Sequence, residues 1–199
     1  MSATDTVLLT SLAREPGKAI RLESCGMGFS GMPAIFVPSL RWSARADRVV
    51  VATTAQYEVR VFEGDSLLHV VRRTIAPAPA TAAAAQRELG DGMRVRTEGG
   101  ERVCDPVELV EQRGFAPVIP AIASVAIDPD GRLWVERGHV RGDPAAIDLF
   151  DARGDYLGTL PPGTPLPVVF LSARRVATIE TDELDVQRIA IHDLVATGS

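Results

Sequence analysis

Three histidines, His69, His139 and His192, are the first residues to test for chemistry. None has a second histidine or a cysteine at metal-ligand spacing, so no zinc-type site can be assembled from local sequence. No Ser-His-Asp set can be named from spacing, and no G-x-S-x-G elbow occurs. The acidic group Glu180, Asp182, Glu183 and Asp185 has the residue type for calcium, but it lacks the spacing and central glycine of an EF-hand loop. It reads as a solvated hairpin tip. Gly26-Met27-Gly28-Phe29-Ser30-Gly31 fits G-x-G-x-x-G. A dinucleotide fingerprint must open a helix whose N-terminus holds a pyrophosphate. Here Pro33 and Pro38 bracket the apolar residues that follow, so the stretch reads as a loop between sheets. Arg-Gly-Asp occurs at 141–143 and 153–155, where Gly-Asp pairs suit hairpin turns because they tolerate positive φ. Cys25 and Cys104 show no framework spacing, and two free thiols are the expectation; a disulfide is the alternative if the protein works outside the cytosol. No catalytic, cofactor-binding or metal-ligating residue is nominated, and no cofactor is expected.

Composition narrows the partners. The chain has 199 residues, 46% hydrophobic and 24% charged, as in an ordinary folded domain with a sizeable core. Asp plus Glu outnumber Lys plus Arg by 26 to 21, giving a net charge of −5. That balance opposes wrapping a phosphate backbone, so nucleic acid is not an expected partner. Lys18 is the only lysine and asparagine is absent; the bias reads as a GC-rich bacterial genome, and it removes any asparagine-dependent site. The first residues have no basic region ahead of the short apolar run Val7 to Leu9, so they do not form a signal peptide pattern. No stretch of about 18 apolar residues exists, so no membrane span is expected.

The elements that would carry any site are strands. RVVVATTAQYEVRVFEGDSLLHVV (48–71), GRLWVERGHVRGDPAAIDLFDARGDYLGTL (131–160) and, more weakly, RVATIETDELDVQRIAIHDL (175–194) share one pattern. Each has a β-rich run, a variable polar stretch and a second β-rich run. Tyr57, Val59 and Val61 alternate with Glu58 and Arg60, the period of two of a half-buried strand. Repeats of roughly 40–50 residues with several strands each mark propeller blades. The predicted fold is therefore all-β: a partial β-propeller of about three four-stranded antiparallel blades with a small helical insertion. Residues 5–40 read as a partial blade (DTVLLTSL and KAIRLES) and loop, 41–74 as a blade, 118–162 as a second and 163–195 as a terminal one. Residues 75–117 read as an insertion outside the sheets. Within it, one helix is expected between Thr81 as N-cap and Gly90, and another between Asp105-Pro106 and Gly114. The intervening GDGMRVRTEGGERVCD reads as polar and turn-rich.

Asp128, Gly131, Leu133, Trp134 and Val135 form one phrase, and Phe150, Asp151, Gly154, Tyr156, Leu157 and Gly158 another. Together they resemble bacterial six-bladed β-propeller proteins of the NHL-like kind, where the first phrase recurs at inner strands and the second at outer hairpins. The resemblance covers roughly residues 42–74 and 121–194. It implies a C-terminal portion of a ring, since 199 residues are too few for six blades, and hence either a truncated gene or a half-ring that closes by self-association. Family members are often exported. The resemblance places Trp134, Glu136, Arg137 and His139 near the channel, which makes them the candidate ligand-facing residues, although Trp134 reads better as packing between blades. The function expected is a non-catalytic binding or scaffold module for a protein or small ligand. The alternative is a fragment of a propeller enzyme, lactonase-like hydrolase or lyase, lacking its catalytic half. Calcium-dependent lactonase propellers line the channel with Glu, Asn and Asp, and this chain has no Asn.

Overall fold

A computed structural model of the chain describes residues 16–181 and 186–195. The fold is all-β, with five antiparallel sheets and two short helices among the described residues. The first sheet is a hairpin of β1 (Lys18–Leu22) and β2 (Met27–Met32). Then comes a four-stranded meander, β3 (Leu40–Arg45), β4 (Arg48–Thr53), β5 (Glu58–Glu63) and β6 (Ser66–Arg72), in the order β3-β4-β5-β6. The next segment holds α1 (Ala82–Leu89), the hairpin β7 (Met93–Thr97) and β8 (Gly100–Cys104), and α2 (Pro106–Arg113). A second meander follows: β9 (Ile122–Ile127), β10 (Leu133–Arg137), β11 (Ile147–Phe150) and β12 (Tyr156–Thr159). The last sheet, the third blade after the two meanders, is three-stranded, β13 (Val169–Ser172), β14 (Arg175–Thr181) and β15 (Gln187–Asp193). The strand expected over DTVLLTSL and most of the acidic tip, Asp182 to Asp185, lie outside the described residues.

The two four-stranded meanders pack as blades. Val50, Val59, Val61 and Val71 from one meet Ile122, Val125, Leu133, Val135 and Phe150 from the other in a shared core. Their first strands, β3 and β9, lie beside each other. The opposite face of the second meander, through Ala126, Trp134 and Ile147, packs on Phe170 and Leu194 at the last sheet. The alternation along β10 divides the labour: Leu133 and Val135 face one neighbour, Trp134 the other.

The recurring Asp-x-x-Gly phrase has a local physical cause. Asp128 Oδ1 accepts the backbone N–H groups of Asp130 and Arg132, both at 2.9 Å, while Gly131 turns the chain at φ 79°. Asp128 Oδ2 then accepts from the Trp134 indole at 3.3 Å. Asp151 repeats the device, accepting from Arg153 and Asp155 around Gly154 at φ 92°.

Three expectations need correction. First, Cys25 and Cys104 are not free thiols but a disulfide with Cα atoms 4.8 Å apart. They meet because Leu22, Leu109 and both cysteines form one buried cluster, a contact across 79 residues that no local spacing signals. Second, the Gly-rich stretch over 26–31 is no loop: Met27–Met32 is a strand paired with β1. Its half-buried Met27 and Phe29 alternate with glycine and serine and pack on the disulfide cluster, so the period of two is present but diluted. Third, Met93–Thr97 and Gly100–Cys104 form a regular hairpin where only turns are expected. Met93 and Val95 pack on the same cluster, while Arg94 is exposed. The two helices stand where expected. The Thr81 hydroxyl caps α1 through Ala84 N–H at 3.1 Å, and Asp105 caps α2 through Val107 N–H at 2.6 Å. Gly90 at φ 58° and Gly114 at φ 73° close them.

Candidate functional site

A cleft of about 420 Å³ opens beside the first strands of the two blades, against the helical segment. That volume is within the range of small-molecule sites, about 300–1,000 Å³. One wall is Pro33 to Val37, which runs from β2 toward β3. It is pinned to the end of α2: Ile35 N–H donates to Gly114 O, and Ala116 N–H donates to Ile35 O. Phe36 holds φ at 60°, a left-handed conformation that strains a residue with a bulky side chain. The opposite wall is Pro120, Ile122, Ala123, Gly138 and His139. Gly138 is required there, because a Cβ would sit 1.6 Å from Pro120 O.

Two arginines reach the cleft from different elements. Arg41 on β3 donates through Nε to Ala123 O on β9 at 2.8 Å. Arg113, the last residue of α2, donates through Nε to Pro33 O at 3.0 Å. Each is thus anchored by one nitrogen. No salt bridge engages either guanidinium among the described residues. Partial burial, with no carboxylate to offset it, pulls Arg113 below the ordinary arginine value. The acid lining the cleft, Glu88, accepts from Arg141 N–H at 2.9 Å. The charge of the lining therefore leans positive in a chain that is acidic as a whole.

Of the four candidates named from sequence, His139 alone lines this cleft. Its Nε2 lies 3.2 Å from Glu136 Oε1. Trp134 is buried, edge-on to Phe170 with ring centroids 5.4 Å apart. Arg137 turns toward the seam between the two blades, where it grips Asp148.

Asp148 is fully buried at that seam and is the most heavily bonded side chain there. Arg137 binds it through Nε to Oδ2 at 3.0 Å and Nη2 to Oδ1 at 2.7 Å. Tyr57 from the first blade donates its hydroxyl to Oδ2 at 2.6 Å, and Thr159 donates to Oδ1. Arg73 Nη1 lies 2.8 Å from Oδ1, with its guanidinium 4.1 Å from the Tyr156 ring centroid. Burial by itself would raise the Asp148 carboxyl; the bonds from Arg137, Thr159, Tyr57 and Arg73 outweigh it and hold the carboxyl at about 2. Burial, then the bond to Asp148, pushes the Tyr57 phenol above its ordinary range. Here the carboxylate is already matched to its partners. A second hollow of about 390 Å³ beside Tyr57 and Arg73 is likewise self-satisfied, since Glu58 takes Arg60 at 2.9 Å and Arg72 at 2.8 Å.

The other sequence motifs resolve into structure. In the first Arg-Gly-Asp, Asp143 pairs with Arg87 of α1 at 2.7 Å. The second lies in the β11–β12 turn, where a Cβ on Gly154 would meet His69 at 2.9 Å. His192 lies 2.9 Å from the Thr178 hydroxyl within the last sheet. His69 is half-buried on β6, where burial and then Arg48 lower its pKa. Sequence reasoning missed Arg41, Arg113, Glu88 and Phe36. These residues are far apart in the chain and lie on a strand, two helices and a loop, so no spacing could have joined them. No protein-family model matches the chain, and no curated protein matches it.

Proposed function

We propose that the chain is a non-catalytic binding module of β-propeller type, part of a six-bladed, NHL-like ring, with its ligand seated in the cleft beside the first strands. The observation that carries this reading is the placement of that cleft. Propellers arrange their blades around a central channel, and the cleft lies where the first strands of two adjacent blades, β3 and β9, approach each other. The strongest polar cluster elsewhere, around Asp148, is bonded inward and joins the blades rather than facing a ligand. The test is amide chemical-shift mapping of the chain titrated with a mixed library of neutral, anionic and cationic fragments. Shifts concentrated at Phe36, Ala123, Gly138 and His139 support the reading. An unchanged spectrum, or shifts confined to the Asp148 seam, would overturn it.

The same reading carries a partner, a second copy of the chain. Among the described residues, the first blade and the last sheet each present apolar side chains on an outer face. On the first, Trp42 pairs with Val51 and so faces away from the shared core that Val50 and Ala52 enter; it is 66% exposed. On the last sheet, Ile179 pairs with Ile189, and Ile191 with Ala177, putting these isoleucines on one face; Ile189 is 75% exposed. Two copies related by a two-fold axis would seat each last sheet on the other's first blade and close a ring of six blades.

A further inference from the structure

We infer that the cleft takes a small organic anion, a carboxylate or phosphonate carried on a compact apolar body; this rests on the binding reading above and names the ligand class for that cleft. The argument is one of unspent charge and of shape. Arg41 and Arg113 are each fixed by Nε to a backbone carbonyl, Ala123 O and Pro33 O. That leaves the two terminal nitrogens of each fork for a ligand, and a planar fork matches a carboxylate or phosphonate by two parallel bonds. Several blade arginines are neutralised: Arg48 by Glu63, Arg72 by Glu58, Arg137 by Asp148, Arg175 by Asp193. The two cleft arginines have no such carboxylate partner among the described residues, and both line a cavity. Arg113 is also partly desolvated without a counter-charge, so an anion beside it relieves a penalty already present in the empty protein.

Much of the remaining lining is apolar, Ile35, Phe36 and Leu89 on the helical side and Ile119 and Ile122 on the blade side, with Ser39, Thr54 and His139 as its polar members beside Glu88. An inorganic ion would leave that wall wet, whereas a ring or short alkyl body would cover it. The net charge of −5 does not oppose this. Charges more than about 8 Å away are screened at physiological ionic strength, and the groups at contact range decide. The lining itself holds two guanidiniums, Arg41 and Arg113, against one carboxylate, Glu88, which already accepts the Arg141 backbone N–H.

The probes are benzoate, phenylphosphonate, inorganic phosphate, benzyl alcohol and benzylamine, titrated into the full chain and read by amide shifts and calorimetry. Benzoate and phenylphosphonate are expected to shift Gly138 and His139, with affinity at least about tenfold above benzyl alcohol and no saturable binding of benzylamine. Arg41→Gln and Arg113→Gln should each weaken benzoate about tenfold or more, and Arg113→Lys should recover part of the loss. Arg41 is exposed, so its variant reports even if Arg113→Gln does not fold. Equal binding of benzyl alcohol or benzylamine at the cleft would overturn the anionic class while leaving the binding reading standing. Inorganic phosphate binding as tightly as phenylphosphonate would overturn the apolar body. Benzoate affinity unchanged in Arg41→Gln would also sink the inference. No response to any probe would remove both the inference and the reading on which it rests.

Discussion

At the scale of single residues, Asp148 organises the seam between the two four-stranded blades. Its carboxyl is held at about 2, against an ordinary value of 3.8. A carboxylate depressed in the folded state stabilises the protein above its unfolded pKa, and that stabilisation fades as pH falls toward the folded value. The window is therefore about pH 4 down to about pH 2, and the contribution is about 2 kcal/mol. Removing the charge at neutral pH is more damaging, because Arg73 and Arg137 would be left half-buried without a counter-charge. Asp148→Asn should cost about 3–5 kcal/mol in urea denaturation and should flatten the fall in stability between about pH 4 and pH 2. A variant within about 1 kcal/mol of wild type, with the acid limb unchanged, would mean that the seam does not depend on this carboxylate.

At the scale of elements, two contacts tie sheets together. Trp134 on β10 packs against Phe170 on β13 and is held by Asp128 at the foot of its own hairpin. Trp134→Ala should lose about 3–5 kcal/mol, since the ring leaves a cavity between two sheets that cannot collapse onto each other easily. A loss below about 1 kcal/mol, measured by chemical denaturation, would contradict the packing role. The second contact is the Cys25–Cys104 disulfide, which staples the β1–β2 hairpin to the β7–β8 hairpin beside α2. It closes a loop of 79 residues in the unfolded chain. Cys104→Ser with Cys25→Ser should lower stability by about 2–4 kcal/mol, and amide exchange should rise first in Lys18–Leu22 and Met93–Cys104. The Glu108 carboxylate, which accepts from Ser24 and from the Glu23 and Ser24 backbone, stays as a weaker link between α2 and that turn. Unchanged exchange in both hairpins would show that the disulfide is not what holds them.

At the scale of the whole molecule, the open faces matter most. Blades inside a ring are covered on both faces; here, among the described residues, the first blade and the last sheet leave Trp42 and Ile189 exposed on one face each. Large exposed apolar surfaces of this kind mark interaction sites. The expected solution species is a pair of chains, twice the 21.3 kDa chain mass, at tens of micromolar by light scattering. Ile189→Asp and Trp42→Glu, at the two opposed faces, should each return the chain to a monomer or drive it into aggregation. A wild-type chain that sediments as a stable monomer at that concentration would refute the ring-closing contact. The described residues contain no helix long and apolar enough to cross a membrane.

Local chemistry was enough to foresee much of this protein. Period-two alternation places β5 through Tyr57, Val59 and Val61, and Asp-x-x-Gly turns place the two hairpins of the second blade, because both depend only on neighbours a few residues away. Helix caps at Thr81 and Asp105 were legible for the same reason. Glycine dilution hid β2, and flanking turn residues hid the β7–β8 hairpin; both are strands because their Met, Phe and Val side chains find the disulfide cluster. Tertiary structure alone decided the rest. The disulfide joins residues 79 apart, and the Asp148 seam joins Tyr57 to a carboxylate 91 residues away. The cleft gathers Arg41 from a strand, Arg113 from a helix end and His139 into one lining. Such groupings arise from the packing of whole sheets, which minimises exposed apolar area over the entire chain, and no window of sequence contains that sum.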